Sequence, residues 1–189
     1  MLNRVSIKLV GRLAQMGLIP FEQIEIAIYG CETLLYTIVS TTGLLLIGGL
    51  YNMLIEATII VGIFYTNQSL GGGFHASTHV KCFLVMAFGL VVAMTVLSFN
   101  LADIVVIFTM LLACTILFSK PIKLHNNKMF LMGNAKQYIQ KSKAAVCFEA
   151  CVFILVSLIG LVKIRNAIAL GAILSALSRT VAIVFQPSK

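Results

Sequence analysis

The chain alternates between long apolar runs and short polar interruptions. The apolar runs occupy six stretches, at 33–50, 53–66, 82–98, 101–119, 144–162 and 167–185. A helix that crosses a bilayer needs about 20 predominantly apolar residues, and irregular backbone inside a bilayer must be shielded by protein. The pattern therefore predicts an all-α, polytopic membrane protein with about six transmembrane or re-entrant helices.

The first 18 residues follow a different pattern. Arg4, Lys8 and Arg12 recur every four residues, while apolar residues line an adjacent face. This spacing predicts an amphipathic helix that lies on the membrane surface. A cleaved signal peptide fits poorly, because the cations interrupt the place of its apolar core. The remaining length is used by the apolar runs, so residues 1–189 are expected to form a single integral-membrane domain.

Composition and charge indicate the class of protein and the kind of partner. The chain is 60% apolar and 11% charged, whereas soluble domains are about half apolar and about a quarter charged. The net charge of +8 would suggest a nucleic-acid partner in a soluble protein, but here the cations lie between apolar runs. With a cytoplasmic N-terminus, eleven of the fourteen Lys and Arg residues lie inside, and Lys163 and Arg165 lie outside. This bias is typical of membrane topology, so we expect a lipid bilayer and no nucleic acid as partner.

The segment 67–82 is the longest polar interruption in the first half, and we expect it to be a loop or a re-entrant segment. It contains three glycines, His75, His79 and Cys82. Cys82 could be a nucleophile with a histidine as its base. Alternatively, the i, i+4, i+7 spacing of the three side chains could form a metal site on one helix face. A glycine-rich turn without chemistry is the third interpretation.

Helix geometry restricts the nucleophile hypothesis. On one straight helix His75 and Cys82 would be about 10 Å apart along the axis, far beyond the roughly 3 Å that proton transfer requires. If the helix begins only at Ser77 or Thr78 as its N-cap, His75 can fold back over the helix start. Cys82 would then lie in or just beyond the first turn, where the helix dipole and Lys81 favour a thiolate.

The run Gly72-Gly73-Phe74-His75-Ala76, followed by Thr78 and Cys82, resembles the signature of the accessory gene regulator B (AgrB) family of bacterial membrane peptidases. The amphipathic N-terminus and the lysine-rich loop at 120–143 resemble that family too. The resemblance implies that His75 and Cys82 are the catalytic pair and that His79 is incidental. It implies neither a metal nor a cofactor. The family commonly has an arginine where this chain has Gln68. A substrate or oxyanion contact made by that arginine therefore does not carry over to this chain.

The function that the resemblance implies is cleavage of a short quorum-sensing propeptide at its C-terminal side. An acyl-enzyme thioester on Cys82 would be captured within the propeptide to give a cyclic thiolactone or lactone. Backbone N–H groups at Gly73 or around Thr78 are the expected oxyanion donors, and Gln68 is a further positioning candidate. The location would be the bacterial cell membrane, with the segment 67–82 facing the cytoplasm, and a homodimer is expected.

The implied propeptide has an amphipathic start and an acidic end. We expect the acidic end to bind lysines of the loop at 120–143, of which Lys136, Lys141 and Lys143 are the candidates. The alternative for these lysines is a topology signal that contacts anionic lipid.

Two other functions stay open. The span count would also suit a small membrane transporter or peptide exporter without covalent chemistry. Such a protein should carry many intramembrane charges, but the candidates are few and mostly near predicted helix ends: Glu56, Asp103, Glu149 and Arg179. A zinc-site protein built on His75, His79 and Cys82 is the other possibility.

Overall fold

The computed structural model describes residues 2–74, 78–99, 101–119 and 135–185, without the side chains of Ala135, Lys136, Tyr138 and Phe185. These residues form seven α-helices and one 3-10 turn, with no strand among them, so the all-α prediction is confirmed. The helices are α1 Leu2–Gln15, α2 Ile24–Leu50, α3 Leu54–Gly71, α4 His79–Leu97, α5 Asp103–Phe118, α6 Ala135–Ile159 and α7 Val162–Phe185, and the 3-10 turn is Phe21–Gln23.

Four helices are long and apolar enough to cross a membrane. They are α2 with its preceding turn, α4, α6 from Ile139 onward and α7 up to Val184. Helix α5 is apolar but has only 16 residues, and α3 carries Glu56, Asn67 and Gln68 along its length. All six predicted apolar segments are therefore helical in the described residues, and four of them have the length and composition of a span.

Residues Met1–Gly43 form one compact unit. In this unit α1 places Ser6 and Val10 on its buried face, while Arg4, Lys8 and Arg12 are exposed. The Asn3 amide Nδ2 donates to Glu32 Oε2 on α2 at 2.9 Å. The predicted amphipathic helix is therefore confirmed.

Residues Leu44–Lys189 form a second compact unit, and α7 is its central helix. Helices α3, α4, α5 and α6 all pack against α7. Half of the apolar window of α7 is buried, compared with 28% or less in the other candidate spans. One apolar cluster joins α7 to α2, α3 and α4 through residues such as Ile60 and Leu90. A second joins it to α5 and α6 through residues such as Met110 and Phe153.

Small residues on α7 allow this packing. Ala169, Ala172 and Ala176 are almost fully buried. A Cβ at Gly171 would lie 3.2 Å from the Cα of Ile60 and 3.1 Å from the Cβ of Ile63. Van der Waals packing between helices replaces the hydrophobic effect inside a bilayer, and small residues let the backbones approach. The α3–α7 contact therefore depends on the absence of a side chain at Gly171.

The second unit has short links at one end and the glycine-rich segment at the other. Arg165, at the start of α7, pairs with Asp103, at the start of α5, through a 2.6 Å contact at the linked end. The side chain of Asp103 is 73% exposed, whereas that of Arg165 is 10% exposed, so only the carboxylate is open to solvent. Arg165, one of the two cations predicted to lie outside, is therefore paired with an acid.

Several helices extend beyond their predicted bounds, and two of these differences concern the predicted site. Residues 67–71, which we expected in a loop or re-entrant segment, are the last turn and a half of α3. Helix α6 begins at Ala135, nine residues before the predicted 144, so Lys136, Lys141 and Lys143 belong to a helix rather than to a loop. Asn67 and Gln68 continue α3 because their side chains contact other helices. The three lysines lie in the first turns of α6.

Gly171→Leu should destabilise the second unit, because its side chain must displace Ile60 and Ile63 at a cost of about 1–3 kcal/mol. Size-exclusion chromatography after heating in detergent measures the fraction that stays monodisperse. Gly49→Leu is the matched control, since no atom lies within 4 Å of a Cβ there. Equal heat resistance of Gly171→Leu and the unmodified protein would contradict the close α3–α7 contact.

Candidate active site

The glycine-rich segment begins where α3 ends. Gly72 follows the helix with φ 72° and ψ 164°, a backbone conformation that is essentially restricted to glycine. A Cβ at Gly71 would overlap the guanidinium of Arg179, and one at Gly73 would overlap the side-chain amide of Gln68. The conformation of Gly72 therefore favours glycine, and at Gly71 and Gly73 a side chain could be added only if Arg179 or Gln68 moved.

The segment is fixed to α7 at Phe74. The Phe74 N–H lies 3.2 Å from the carbonyl oxygen of Ser178 and 3.1 Å from its Oγ. The Gln68 Nε2 donates to the same hydroxyl oxygen. Gln68, Phe74 and Ser178 thus connect the end of α3, the segment after it and α7.

Helix α4 begins one residue after Thr78, which is one of the two N-cap positions that the sequence offered. Thr78 is extended, with φ −138° and ψ 149°, and its side chain accepts from the Lys81 N–H at 3.3 Å. The Cys82 N–H donates to the Thr78 carbonyl at 3.1 Å. The half-buried Cys82 therefore lies at the end of the first helical turn of α4.

His75 lies outside the described residues, so its separation from Cys82 stays a prediction. The extended Thr78 ends α4 on its N-terminal side, so α4 carries His79 and Cys82 of the three side chains in the metal hypothesis. Among the described residues no group of three His, Cys, Asp or Glu side chains could hold a metal ion. His79 is the first residue of α4 and is exposed.

A buried polar cluster that the sequence analysis did not connect with the site lies beside it. The Asn67 Nδ2 donates to both carboxylate oxygens of Glu149, at 2.9 and 3.0 Å. Arg179 is 1% exposed, and its NH1 donates to the carbonyl of Leu117 at the end of α5. The Arg179 Nε and NH2 have no partner among the described residues. Charged side chains inside membrane helices indicate function, and this was the available signal for Glu149 and Arg179.

The candidate lysines of α6 lie at the same end as Cys82. Lys141 and Lys143 are exposed on either side of the buried Ser142. The Ser142 Oγ would be 2.9 Å from a Cβ at Gly71, which brings the start of α6 next to the end of α3. The side chain of Lys136 is outside the described residues. Two of the three lysines therefore lie near the glycine-rich segment.

Gly71→Ala should destabilise the fold, because the new methyl group must push the Arg179 guanidinium away from the Leu117 carbonyl. We expect a loss of about 1–3 kcal/mol, as for other overpacked sites, seen as a lower midpoint in a circular-dichroism melt in detergent. Gly62→Ala, on the open face of the same helix, should keep the original midpoint. Identical melts for the two variants would argue against the Gly71–Arg179 contact.

A comparison with protein-family models gives one match. The family model described as accessory gene regulator B matches residues 6–180, which include the glycine-rich segment, Cys82, the candidate lysines and Arg179. Neither the curated proteins nor the solved structures compared with the chain gave a match. Because the family match covers most of the 189 residues, the chain belongs to the accessory gene regulator B (AgrB) family.

Proposed function

We propose that this protein is a membrane-embedded cysteine endopeptidase that cleaves a short autoinducer propeptide at its C-terminal side and promotes cyclisation of the product. Family membership indicates a role in processing or export of the autoinducer peptide of the accessory gene regulator system. The observation that carries the finer proposal is the position of Cys82 in the first turn of a capped helix. His75, on the segment just before the cap, is the proposed base.

The helix start provides the electrostatic support for a thiolate. The first N–H groups of an α-helix lack intrahelical partners, and their partial positive charge stabilises an anion within the first turn. Lys81 adds a full positive charge next to Cys82 in sequence. A thiolate at this position is a stronger nucleophile than a thiol, which is the property that peptide-bond cleavage by Cys82 requires.

The proposed reaction has two acyl-transfer steps. His75 accepts the proton of Cys82, whose sulfur attacks the scissile carbonyl carbon; the C–N bond then breaks, and His75 returns the proton to the leaving amine. The resulting thioester is attacked by a thiol or hydroxyl within the propeptide, which forms the ring and releases the Cys82 thiol. Water must be excluded during the second step, and a site at the end of a helical bundle in a bilayer favours this.

The roles of Gly73 and Thr78 differ in this mechanism. The Lys81 and Cys82 N–H groups are already bonded to Thr78, so Thr78 is assigned to positioning the nucleophile. The Gly73 N–H is assigned to the oxyanion.

The active site is proposed to face the cytoplasm, where a newly made propeptide is found. Lys81, Lys141 and Lys143 are exposed at the end of the second unit that carries Cys82. At the other end Arg165 is paired with Asp103. Cytoplasmic ends of membrane helices carry the excess of Lys and Arg, which supports this orientation.

A second candidate is a peptide exporter without covalent chemistry. The observation that favours it is the buried cluster of Asn67, Glu149 and Arg179 within a helical bundle, because buried ionisable groups often mark transport pathways. The two functions differ in their dependence on Cys82. An exporter would carry the peptide across the membrane whether or not residue 82 has a thiol.

Cys82→Ala and His75→Ala should each abolish propeptide cleavage, since one lacks the nucleophile and the other lacks the base. Mass spectrometry of the propeptide incubated with proteoliposomes measures the products. His79→Ala should retain cleavage, because His79 is not part of the proposed pair. Product formed by Cys82→Ala at the original rate would refute the peptidase, and transport retained by that variant would favour the exporter.

The triple substitution of Lys136, Lys141 and Lys143 by Gln should raise the KM for a propeptide with an acidic end, because attraction between opposite charges is lost. We expect an increase of about tenfold, on the scale of a few weak surface pairs, that shrinks at high salt. The assay is cleavage rate against propeptide concentration at two ionic strengths. Lys163→Gln, at the opposite end of the bundle, should leave KM unchanged, and an unchanged KM in the triple variant would remove these lysines from the site.

A further inference from the structure

Ser178 makes the contact that holds the chain just before the proposed base. The Phe74 N–H is shared between the Ser178 carbonyl at 3.2 Å and the Ser178 Oγ at 3.1 Å. Phe74 directly precedes His75 in sequence. A bond at the Phe74 N–H therefore fixes the backbone of the residue that directly precedes the proposed base.

The hydroxyl of Ser178 is used differently from its neighbours on α7. Those of Ser175 and Thr180 donate back to the carbonyls of Gly171 and Ala176, at 2.8 and 2.9 Å, the ordinary local bond of a hydroxyl in a helix. The Ser178 hydroxyl instead accepts from Phe74 and from Gln68. It connects α7 to the segment after α3.

Gln68 and Gly73 complete this arrangement. The Gln68 amide bonds to the Ser178 Oγ and occupies the space where a Cβ of Gly73 would be. The Gln68 Oε1 is buried without a partner among the described residues. Because an amide can be turned by 180°, the Ser178 hydroxyl can equally donate to that oxygen. Both orientations leave the Ser178 Oγ as an acceptor for the Phe74 N–H.

Helix α7 is a rigid support for this contact. It is the most buried candidate span. The next residue, Arg179, is 1% exposed and bonded to the end of α5, which fixes the rotation of α7 at Ser178. A small displacement of a catalytic group, of about 1 Å, can cost about 100-fold in rate, so a fixed anchor next to His75 matters for the chemistry.

We propose that Ser178, together with Gln68, is a positioning residue that places His75 for proton transfer with Cys82. This inference rests on the proposed function, since it assigns His75 as the base. Ser178 acts by holding Phe74.

The test uses full-length protein in proteoliposomes and compares Ser178→Ala with Ser178→Thr. Ser178→Ala keeps the carbonyl acceptor and loses the hydroxyl, so we expect kcat for propeptide cleavage to fall about 10- to 100-fold with KM changed less than about threefold. Ser178→Thr restores a hydroxyl and should recover most of kcat. Ser175→Ala, one turn away at a buried position, should keep the original kcat.

A double-mutant cycle with Gln68→Ala tests whether the two side chains act together. If they hold Phe74 as one unit, Gln68→Ala combined with Ser178→Ala should lower kcat little more than Ser178→Ala alone. Independent, multiplying effects of the two substitutions would overturn the pairing of Gln68 with Ser178.

A second readout separates failure of this inference from failure of the proposed function. The rate of Cys82 alkylation by iodoacetamide, resolved by site with mass spectrometry, should fall in Ser178→Ala to the level of His75→Ala and stay unchanged in Ser175→Ala. Unchanged kcat and alkylation in Ser178→Ala would overturn the inference while leaving the peptidase intact. Equal losses in Ser175→Ala and Ser178→Ala would also overturn it, because the effect would then come from helix packing.

Discussion

Helices α3 and α7 approach each other closely along much of their length, with Gly171 against Ile60 near the middle and Gly71 against Arg179 at one end. This contact brings Ser178 within reach of Phe74 and Gln68. Because no hydrophobic effect drives helices together within a bilayer, the contact depends on van der Waals packing between small residues. The course of the glycine-rich segment follows from that packing.

The polar groups of the second unit are concentrated at two places with different physical roles. Arg165 and Asp103 form an ion pair at the linked end, with Asp103 largely exposed, so the charges stay partly hydrated. Arg179 and Glu149 lie buried, and Asn67 and the Leu117 carbonyl take up part of their hydrogen bonding. Buried charges are costly unless they are compensated. The end of the second unit that carries the glycine-rich segment therefore differs from the linked end in having buried charges.

Sequence pattern predicted the class of fold well and its boundaries less well. The apolar runs located all six helices after α1, and the N-cap rule gave Thr78 as one of two possible starts of α4. The rule works because a hydroxyl that accepts from an early N–H is a local interaction. The helical turn at Asn67 and Gln68 was missed because hydropathy cannot show that these side chains find partners on α6 and α7.

The sequence by itself determined that the chain is an all-α membrane protein and that its N-terminus is amphipathic. These properties depend on composition and on neighbours within a few positions. The tertiary structure alone decided that Ser178 lies against Phe74 and that Arg179 lies against Gly71. Such contacts join residues more than 100 positions apart, and their formation depends on how α7 packs among the other helices, which no local pattern encodes.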